Sequence, residues 1–176
     1  MITGIKVRRA KSDEYEQLGK LMIEVYSSLN DFPTQDEQPD YYMMLANIGH
    51  FAEQEGTQVL VATSADDRIV GGVIYFGDMS KYGSGGTATA ETTASGIRLL
   101  AVDPRSRGGG VGKALTSACI QLAKSQGHSQ VILHTTQAMQ VAWGLYQKLG
   151  FEPSIDLDFV QGKLAVFGFR LRLQEE

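Results

Sequence analysis

The chain carries one glycine-rich stretch that constrains its fold more than any other feature, Arg105–Leu115, with the sequence RSRGGGVGKAL. It holds four glycines and three cations in eleven residues. An apolar run that predicts a buried strand, 97–102, precedes it, and apolar residues at helical spacing follow: Val111, Leu115, Cys119 and Leu122. The first amides of a helix lack intrahelical acceptors, and glycines let an anion approach them closely. The stretch therefore predicts a strand–loop–helix junction that binds a phosphate, the alternative being a glycine-rich helix start needed only for packing.

Two common phosphate motifs do not fit this stretch. A Walker A loop requires a glycine five positions before Gly112, where the chain has Arg107, and a Ser or Thr after Lys113, where it has Ala114. The dinucleotide fingerprint G-x-G-x-x-G also fails, because its last glycine would fall on Lys113 or Leu115. What remains is Arg-x-x-Gly-x-Gly at a helix start, a pattern suited to a diphosphate.

The rest of the chain shows alternating and helical apolar patterns separated by turn residues. They predict strands at 5–9, 58–63, 69–76, 97–102, 131–135 and 164–173, and helices near 12–25, at 41–51, after Gly110 and at 141–149. The order β-α-α-β-β-β-α-β-α-β predicts an α/β (α+β) fold, a mixed, mostly antiparallel central sheet of about six to seven strands flanked by about four helices. The segment 81–95 has almost no large apolar residue and is predicted to be a mobile loop, either a lid or simply disordered.

Composition limits the remaining classes. A chain of 176 residues fits a single domain, 1–176, and its net charge of −4 argues against nucleic acid as the main partner. Its single cysteine and three scattered histidines offer no metal site and no disulfide framework. With no apolar membrane-spanning run and no secretory signal pattern at the N-terminus, we expect a cytoplasmic protein without a membrane partner.

Two motifs in order resemble those of the GNAT N-acetyltransferase superfamily. The first is a strand ending in Ala101-Val-Asp-Pro followed by Arg107-x-x-Gly-x-Gly and an apolar helix. The second, about thirty residues later, is Ala142-Trp-Gly-Leu-Tyr-Gln-Lys-Leu-Gly-Phe151, matching A-x-x-L-Y-x-x-x-G-F. The close resemblance covers roughly residues 95 to 153, and the N-terminal β-α-α-β-β run matches only in topology.

The resemblance implies a GNAT-like single N-acetyltransferase domain that uses acetyl-CoA, or a related acyl-CoA, as acyl donor and needs no metal. The donor's diphosphate is then expected at the glycine stretch, and its pantetheine arm along the open backbone edge of the preceding strand. The implied donor-binding residues are Leu100, Ala101, Val102, Arg107, Gly108, Gly109, Gly110, Val111, Gly112 and Lys113. One departure concerns Met139, which stands where many members have an asparagine that binds the pantetheine arm.

The resemblance also implies two catalytic residues. Tyr146 occupies the tyrosine position of the family and would protonate the departing thiolate, although its spacing also fits a core tyrosine. His134 aligns with a glutamate that serves as base in members acetylating protein N-termini, and a histidine can take a proton at neutral pH. The alternatives are a strand histidine hydrogen-bonded on a sheet face, and Glu91 as the base.

The predicted function is transfer of an acetyl group to a primary amine, with a small molecule as the favoured acceptor. Acetylation of a protein N-terminus or lysine is the alternative within the class, and a non-catalytic acyl-CoA-binding module is the alternative outside it. The sequence leaves the oligomeric state open, with a homodimer among the candidates.

Overall fold

The structure is a computed structural model, and it describes residues 4–173. These residues form eight strands and four α-helices. The strands are β1 Lys6–Arg9, β2 Thr57–Thr63, β3 Ile69–Phe76, β4 Ala94–Val102, β5 Gln130–Thr135, β6 Glu152–Pro153, β7 Phe159–Gln161 and β8 Leu164–Arg172. The helices are α1 Tyr15–Ser27, α2 Pro39–Ala46, α3 Val111–Ser125 and α4 Gln140–Lys148.

The strands form one mixed sheet in the order β1-β2-β3-β4-β5-β8-β6, and β7 also pairs with β8. The pairs β1–β2, β5–β8, β6–β8 and β7–β8 are antiparallel, whereas β4–β5 is parallel. The predicted mixed, mostly antiparallel sheet flanked by helices is confirmed. The two further strands, β6 and β7, are only two and three residues long, too short to show a periodic pattern.

The chain divides into two compact units. The first unit contains the described residues up to Ile74 and the segment Leu99–Ala118. The second unit contains the segment Tyr75–Arg98 and the described residues from Cys119 onwards. In the first unit, α1 buries Leu18 and Met22 completely. A side chain at Gly19 would come within 2.6 Å of the carbonyl oxygen of Ala46, so α1 and α2 pack with their backbones close together. The first unit thus has a core of its own.

Gly71 on β3 sets the position of the glycine-rich junction in the first unit. A Cβ at Gly71 would lie 2.8 Å from the carbonyl oxygen of Ala101 on β4 and 2.8 Å from Val111 on the first turn of α3. Leu115, one turn further along α3, would lie 3.0 Å away. The absence of a side chain at this point therefore lets the start of α3 rest directly on the sheet.

In the second unit, the fully buried Tyr82 packs against Gly96 on β4, where any side chain would overlap its ring. Arg170 on β8, nearly buried, forms ion pairs with Glu91 at 3.0 Å and with Asp156 at 3.1 Å. The segment 81–95, predicted to be a mobile loop, is thus held by a buried aromatic ring and by an ion pair. A 3-10 turn, Met79–Lys81, ends at its first residue, and a second, Ala88–Ala90, lies within it.

None of the helices within residues 4–173 is long and apolar enough to cross a lipid bilayer.

We expect Gly71→Ala to lower the free energy of unfolding by about 1–3 kcal/mol, because the added methyl group must displace the backbone at Ala101. Urea denaturation followed by circular dichroism measures this change. The matched control is Gly144→Ala on α4, where nothing lies within 4 Å of the new Cβ. Its effect should be neutral or stabilising by up to about 1 kcal/mol. Equal effects of the two substitutions would contradict the packing account.

Candidate active site

The glycine stretch adopts the conformation that its sequence predicts. Gly108 and Gly110 have φ angles of 80° and 85°, in the left-handed region that glycine adopts without strain. A Cβ at either position would have no neighbour within 4 Å. These two glycines are therefore required by the backbone, and the space beside them is open to a ligand.

The amides of this turn are available to an anion. The first hydrogen bond of α3 runs from the amide of Ala114 to the carbonyl oxygen of Gly110, at 2.9 Å. Helix geometry leaves the amides of Val111, Gly112 and Lys113 without an intrahelical acceptor. They lie at the electropositive end of a 15-residue helix. The predicted phosphate-binding residues thus stand at the true start of α3.

The three cations of the stretch differ in their pairing. Arg105 lies 2.8 Å from Asp103 and 3.6 Å from Glu24, and its hydrogen bonds to Asp103 hold the pKa of that carboxyl below its usual range. Arg107 and Lys113 are exposed, and no carboxylate of residues 4–173 lies within 4.0 Å of either. The positive charge free to meet a phosphate therefore comes from Arg107 and Lys113.

The pairing of β4 with β5 stops just before the residues predicted to bind the pantetheine arm. Its parallel pairing with β5 extends from Ala94 to Ile97, and Leu99 then takes a left-handed φ of 59°, as in a β-bulge. Beyond this point, the carbonyl oxygen of Leu100 accepts a hydrogen bond from Tyr26 Oη at 3.1 Å. Of the three predicted backbone positions, Leu100 therefore already has an internal donor for its carbonyl group.

Tyr146, the predicted acid, lies on α4 in the second unit and is only 6% exposed. Its ring packs edge-on against Phe151, with centroids 5.8 Å apart. Burial raises the pKa of the phenol, which keeps it protonated at neutral pH. Within residues 4–173 its hydroxyl has no hydrogen-bond partner. A tyrosine hydroxyl without a protein partner can bond to water or to a ligand.

His134, the predicted base, uses both of its ring nitrogens. Nε2 lies 2.8 Å from the carbonyl oxygen of Leu157, which can only accept, so Nε2 carries the proton. Nδ1 lies 3.0 Å from the hydroxyl of Tyr82 and accepts its proton in the neutral imidazole. Desolvation by burial lowers the pKa of His134 below its usual value, so the ring is neutral at neutral pH. This is the hydrogen-bonded strand histidine considered above as the alternative to a base.

The other alternative base, Glu91, is paired with Arg170 as described above. At the start of α4, Met139 has no polar group to offer a ligand. Two residues beyond His134, however, the hydroxyl of Thr136 is buried and has no hydrogen-bond partner in the described part of the chain. Sequence reasoning missed Thr136 because a lone threonine after a strand has no distinctive pattern.

Sequence reasoning also missed Tyr82 and Arg98. The phenol of Tyr82 lies 3.0 Å from Nδ1 of His134, and the guanidinium of Arg98 lies 6.0 Å from the centre of the Tyr82 ring. Two signals were present: one large aromatic residue in a segment of small residues, and one cation inside an apolar strand. Within residues 4–173, no group of three His, Cys, Asp or Glu side chains is arranged to hold a metal ion.

Curated proteins with similar sequences match short segments of the chain. Human N-acetyltransferase 8B is 47% identical over 53 residues, which is 30% of this chain and 23% of that protein. Mycothiol acetyltransferase of Saccharomonospora viridis is 40% identical over 67 residues, 38% of this chain and 22% of that protein. The matches thus span less than a quarter of either relative.

Solved structures match nearly the whole chain. A GNAT-family acetyltransferase of Staphylococcus aureus superposes with a TM-score of 0.74 at 22% identity, covering 97% of this chain and 100% of that one. PaiA N-acetyltransferase of Thermoplasma acidophilum, solved with coenzyme A, gives a TM-score of 0.71 at 14% identity, with coverage of 97% and 100%. At these identities the likeness establishes the fold.

The sequence model of the acetyltransferase (GNAT) family matches residues 22–151, a region that contains both motifs and most of the chain. The chain belongs to the GNAT acetyltransferase family.

Proposed function

We propose that the chain is an acetyl-CoA-dependent N-acetyltransferase that works as one catalytic domain, 1–176, on the primary amine of a small molecule. The observation that carries the proposal is the left-handed glycine turn at the start of α3, with open amides and unpaired cations. A single buried cysteine and a net charge of −4 fit a reducing, cytoplasmic setting and a partner other than nucleic acid.

The first unit would bind the acyl donor. The amides from Gly108 to Lys113 would hold the diphosphate, and Arg107 would add charge. The backbone of Leu100, Ala101 and Val102 would pair with the amide groups of the pantetheine arm. Two structural neighbours were solved with such molecules, PaiA with coenzyme A and YncA of Salmonella typhimurium with acetyl-CoA, and this supports the assignment.

The chemistry proposed is direct acyl transfer. The neutral amine attacks the thioester carbonyl, a C–N bond forms, the C–S bond breaks, and the thiolate takes a proton from the phenol of Tyr146. The amine loses one proton to solvent or to a base, and the phenolate is reprotonated before the next turnover. A non-catalytic acyl-CoA-binding module would have no need of a hydroxyl poised in this way, so the unpartnered hydroxyl of Tyr146 supports catalysis.

A small-molecule acceptor is favoured over a protein. Several of the relatives are named for mycothiol and none of those cited is named for a protein acceptor. In addition, the family glutamate associated with protein N-termini is replaced by His134.

For His134 we propose a positioning role. Its two hydrogen bonds tie Tyr82 to the segment at Leu157, and its Nδ1 lone pair already faces a donor. As a base it would receive a proton only after Tyr82 gave up that contact.

Tyr146→Phe should lower kcat by about 100-fold or more, because the thiolate loses its proton donor. The KM for acetyl-CoA should change by less than about threefold, because the hydroxyl acts mainly in the transition state. Thiol release from acetyl-CoA with a panel of amines measures both. Tyr15→Phe, a half-buried tyrosine of α1, is the matched control. Tight acetyl-CoA binding without turnover of any amine would instead indicate a binding module.

Gly110→Asp should weaken acetyl-CoA binding at least about tenfold relative to Gly110→Asn, as measured by calorimetry. Both side chains have the same shape, both tolerate left-handed backbone, and only Asp brings a negative charge to the turn. Thermal melting of both variants checks that they fold. Equal affinities of two folded variants would remove the diphosphate assignment.

The pH dependence of stability tests the role of His134. Because its pKa is lowered on folding from 6.5, the unfolded chain binds more protons as the pH falls, so the free energy of unfolding should decrease below about pH 6.5. In His134→Gln this part of the pH dependence should disappear, and His50→Gln at an exposed site is the control. A His134→Gln variant with unchanged stability and a kcat lowered about 100-fold would show that His134 is the base.

A further inference from the structure

Arg98 is half-buried, and none of the described carboxylates forms an ion pair with it. The described residues contain three half-buried arginines, Arg8, Arg98 and Arg170. Arg8 pairs with one carboxylate and Arg170 with two. Arg98 has no carboxylate within 4.0 Å among residues 4–173, and its hydrogen bond there is from Nη1 to the carbonyl oxygen of Tyr82, at 2.9 Å.

A guanidinium in this state has unused binding capacity. It carries five N–H donors in a planar fork whose geometry matches a carboxylate, and one of them is occupied here. Withdrawing a charge from water is costly unless an opposite charge or hydrogen bonds compensate for it. A ligand carboxylate would supply both at once.

The guanidinium is held in place rather than free to swing. On one side it lies 6.0 Å from the centre of the Tyr82 ring, within the range of a cation–π contact. On the other it lies against Gly83, where an added Cβ would be 3.2 Å from Nη1 and where φ is 73°. The carbonyl, the ring and the glycine together fix the donor group before any ligand arrives.

None of the described titratable groups around Arg98 forms an ion pair with it. His134 is neutral, and the charge of Arg98 itself contributes to lowering its pKa. Asp158, which also interacts with His134, uses its Oδ1 to accept the amide of Gly168 at 2.7 Å. Tyr82 stays protonated because burial raises its pKa.

Arg98 lies on β4 two residues before Leu100, the first of the backbone positions predicted to bind the pantetheine arm. The cation and the proposed donor-binding backbone therefore belong to one strand.

We propose that Arg98 binds a carboxylate of the acceptor, so that the acceptor is an amine that also carries a carboxylate, such as an amino acid. The inference rests on the proposed acetyltransferase function and specifies its substrate class. The charge of Arg98 would orient the acceptor, and the acyl transfer would proceed at its amine as described above.

The test compares acceptors that differ only in the acid group: phenylalanine, phenylalanine amide and phenylethylamine, then 4-aminobutyrate and butylamine. Within at least one set, the wild-type protein should prefer the carboxylate by about 10- to 100-fold in kcat/KM. In the first set the acid and the amine are on the same carbon, and in the second set three carbons separate them. The two sets therefore distinguish an α-amino acid acceptor from one whose carboxylate is further from the amine. Preference for the amines without a carboxylate in both sets would overturn the proposal.

Arg98→Gln should remove the preference mainly by raising KM for the carboxylate acceptor, with less than about a threefold change for the analogue that lacks the carboxylate. Arg98→Lys keeps the charge without the fork and should recover part of the preference. Arg172→Gln, at an exposed arginine on β8, is the matched control. An equal loss with acceptors that carry and that lack the carboxylate would show that Arg98 only supports the carbonyl of Tyr82.

A separate arm distinguishes failure of this proposal from failure of the proposed function. Calorimetric titration of N-acetylphenylalanine and its amide into wild-type and Arg98→Gln protein needs no turnover, and 4-acetamidobutyrate extends it to the second set. Binding of an acid that is lost in Arg98→Gln supports the carboxylate site even if no amine is acetylated. If turnover is found but none of these acids binds in an Arg98-dependent way, the carboxylate site is excluded and the acetyltransferase function stands.

Discussion

The account depends on the unpaired backbone amides at the start of α3. A helix always leaves its first amides without partners, and a soluble protein satisfies them with side-chain caps, water or a ligand. Here left-handed glycines occupy the turn, no atom lies within 4 Å of a Cβ placed at Gly108 or Gly110, and two nearby cations lack carboxylate partners among residues 4–173. The turn is fixed because Gly71 lets α3 rest on the backbone of the sheet. Tight packing on one side of the turn and open space on the other are the reasons why we propose that the diphosphate of an acyl-CoA binds there.

The second unit places a different kind of polar chemistry in a dry interior. Tyr82, His134 and the carbonyl of Leu157 form a chain of neutral hydrogen bonds, and the Tyr82 hydroxyl also lies 3.4 Å from the carbonyl oxygen of Ile97. Such a chain is stable when buried because no charge is withdrawn from water. In the same unit, and among residues 4–173, the hydroxyl of Tyr146 has no hydrogen-bond partner and the guanidinium of Arg98 has no carboxylate partner. This contrast with the satisfied chain is the reason why we propose functional roles for both.

Much of the fold could be predicted because the apolar patterns were strong. Strand β3 begins and ends where its sequence predicts, and the glycine stretch does open α3. Strand β4 begins three residues earlier than predicted, since Ala94, Ser95 and Gly96 are buried without being bulky. Helix α2 ends at Ala46 rather than near residue 51, and the side chain of Asn47 bonds back to the carbonyl of Met43. These boundaries were set by packing and by a local hydrogen bond that apolar spacing does not reveal.

The candidate site was predictable only where a motif marked it. The glycine turn and Tyr146 belong to contiguous patterns, whereas the partners of His134 lie 52 residues before it and 23 after it. Arg98 became a candidate only from the structure, because among residues 4–173 no carboxylate lies within 4.0 Å of it. The most direct measurement is a crystal structure of the complex with acetyl-CoA. The account predicts diphosphate oxygens within about 3.2 Å of the amides between Gly108 and Lys113. A diphosphate bound elsewhere, with these amides bonded to protein groups instead, would contradict it.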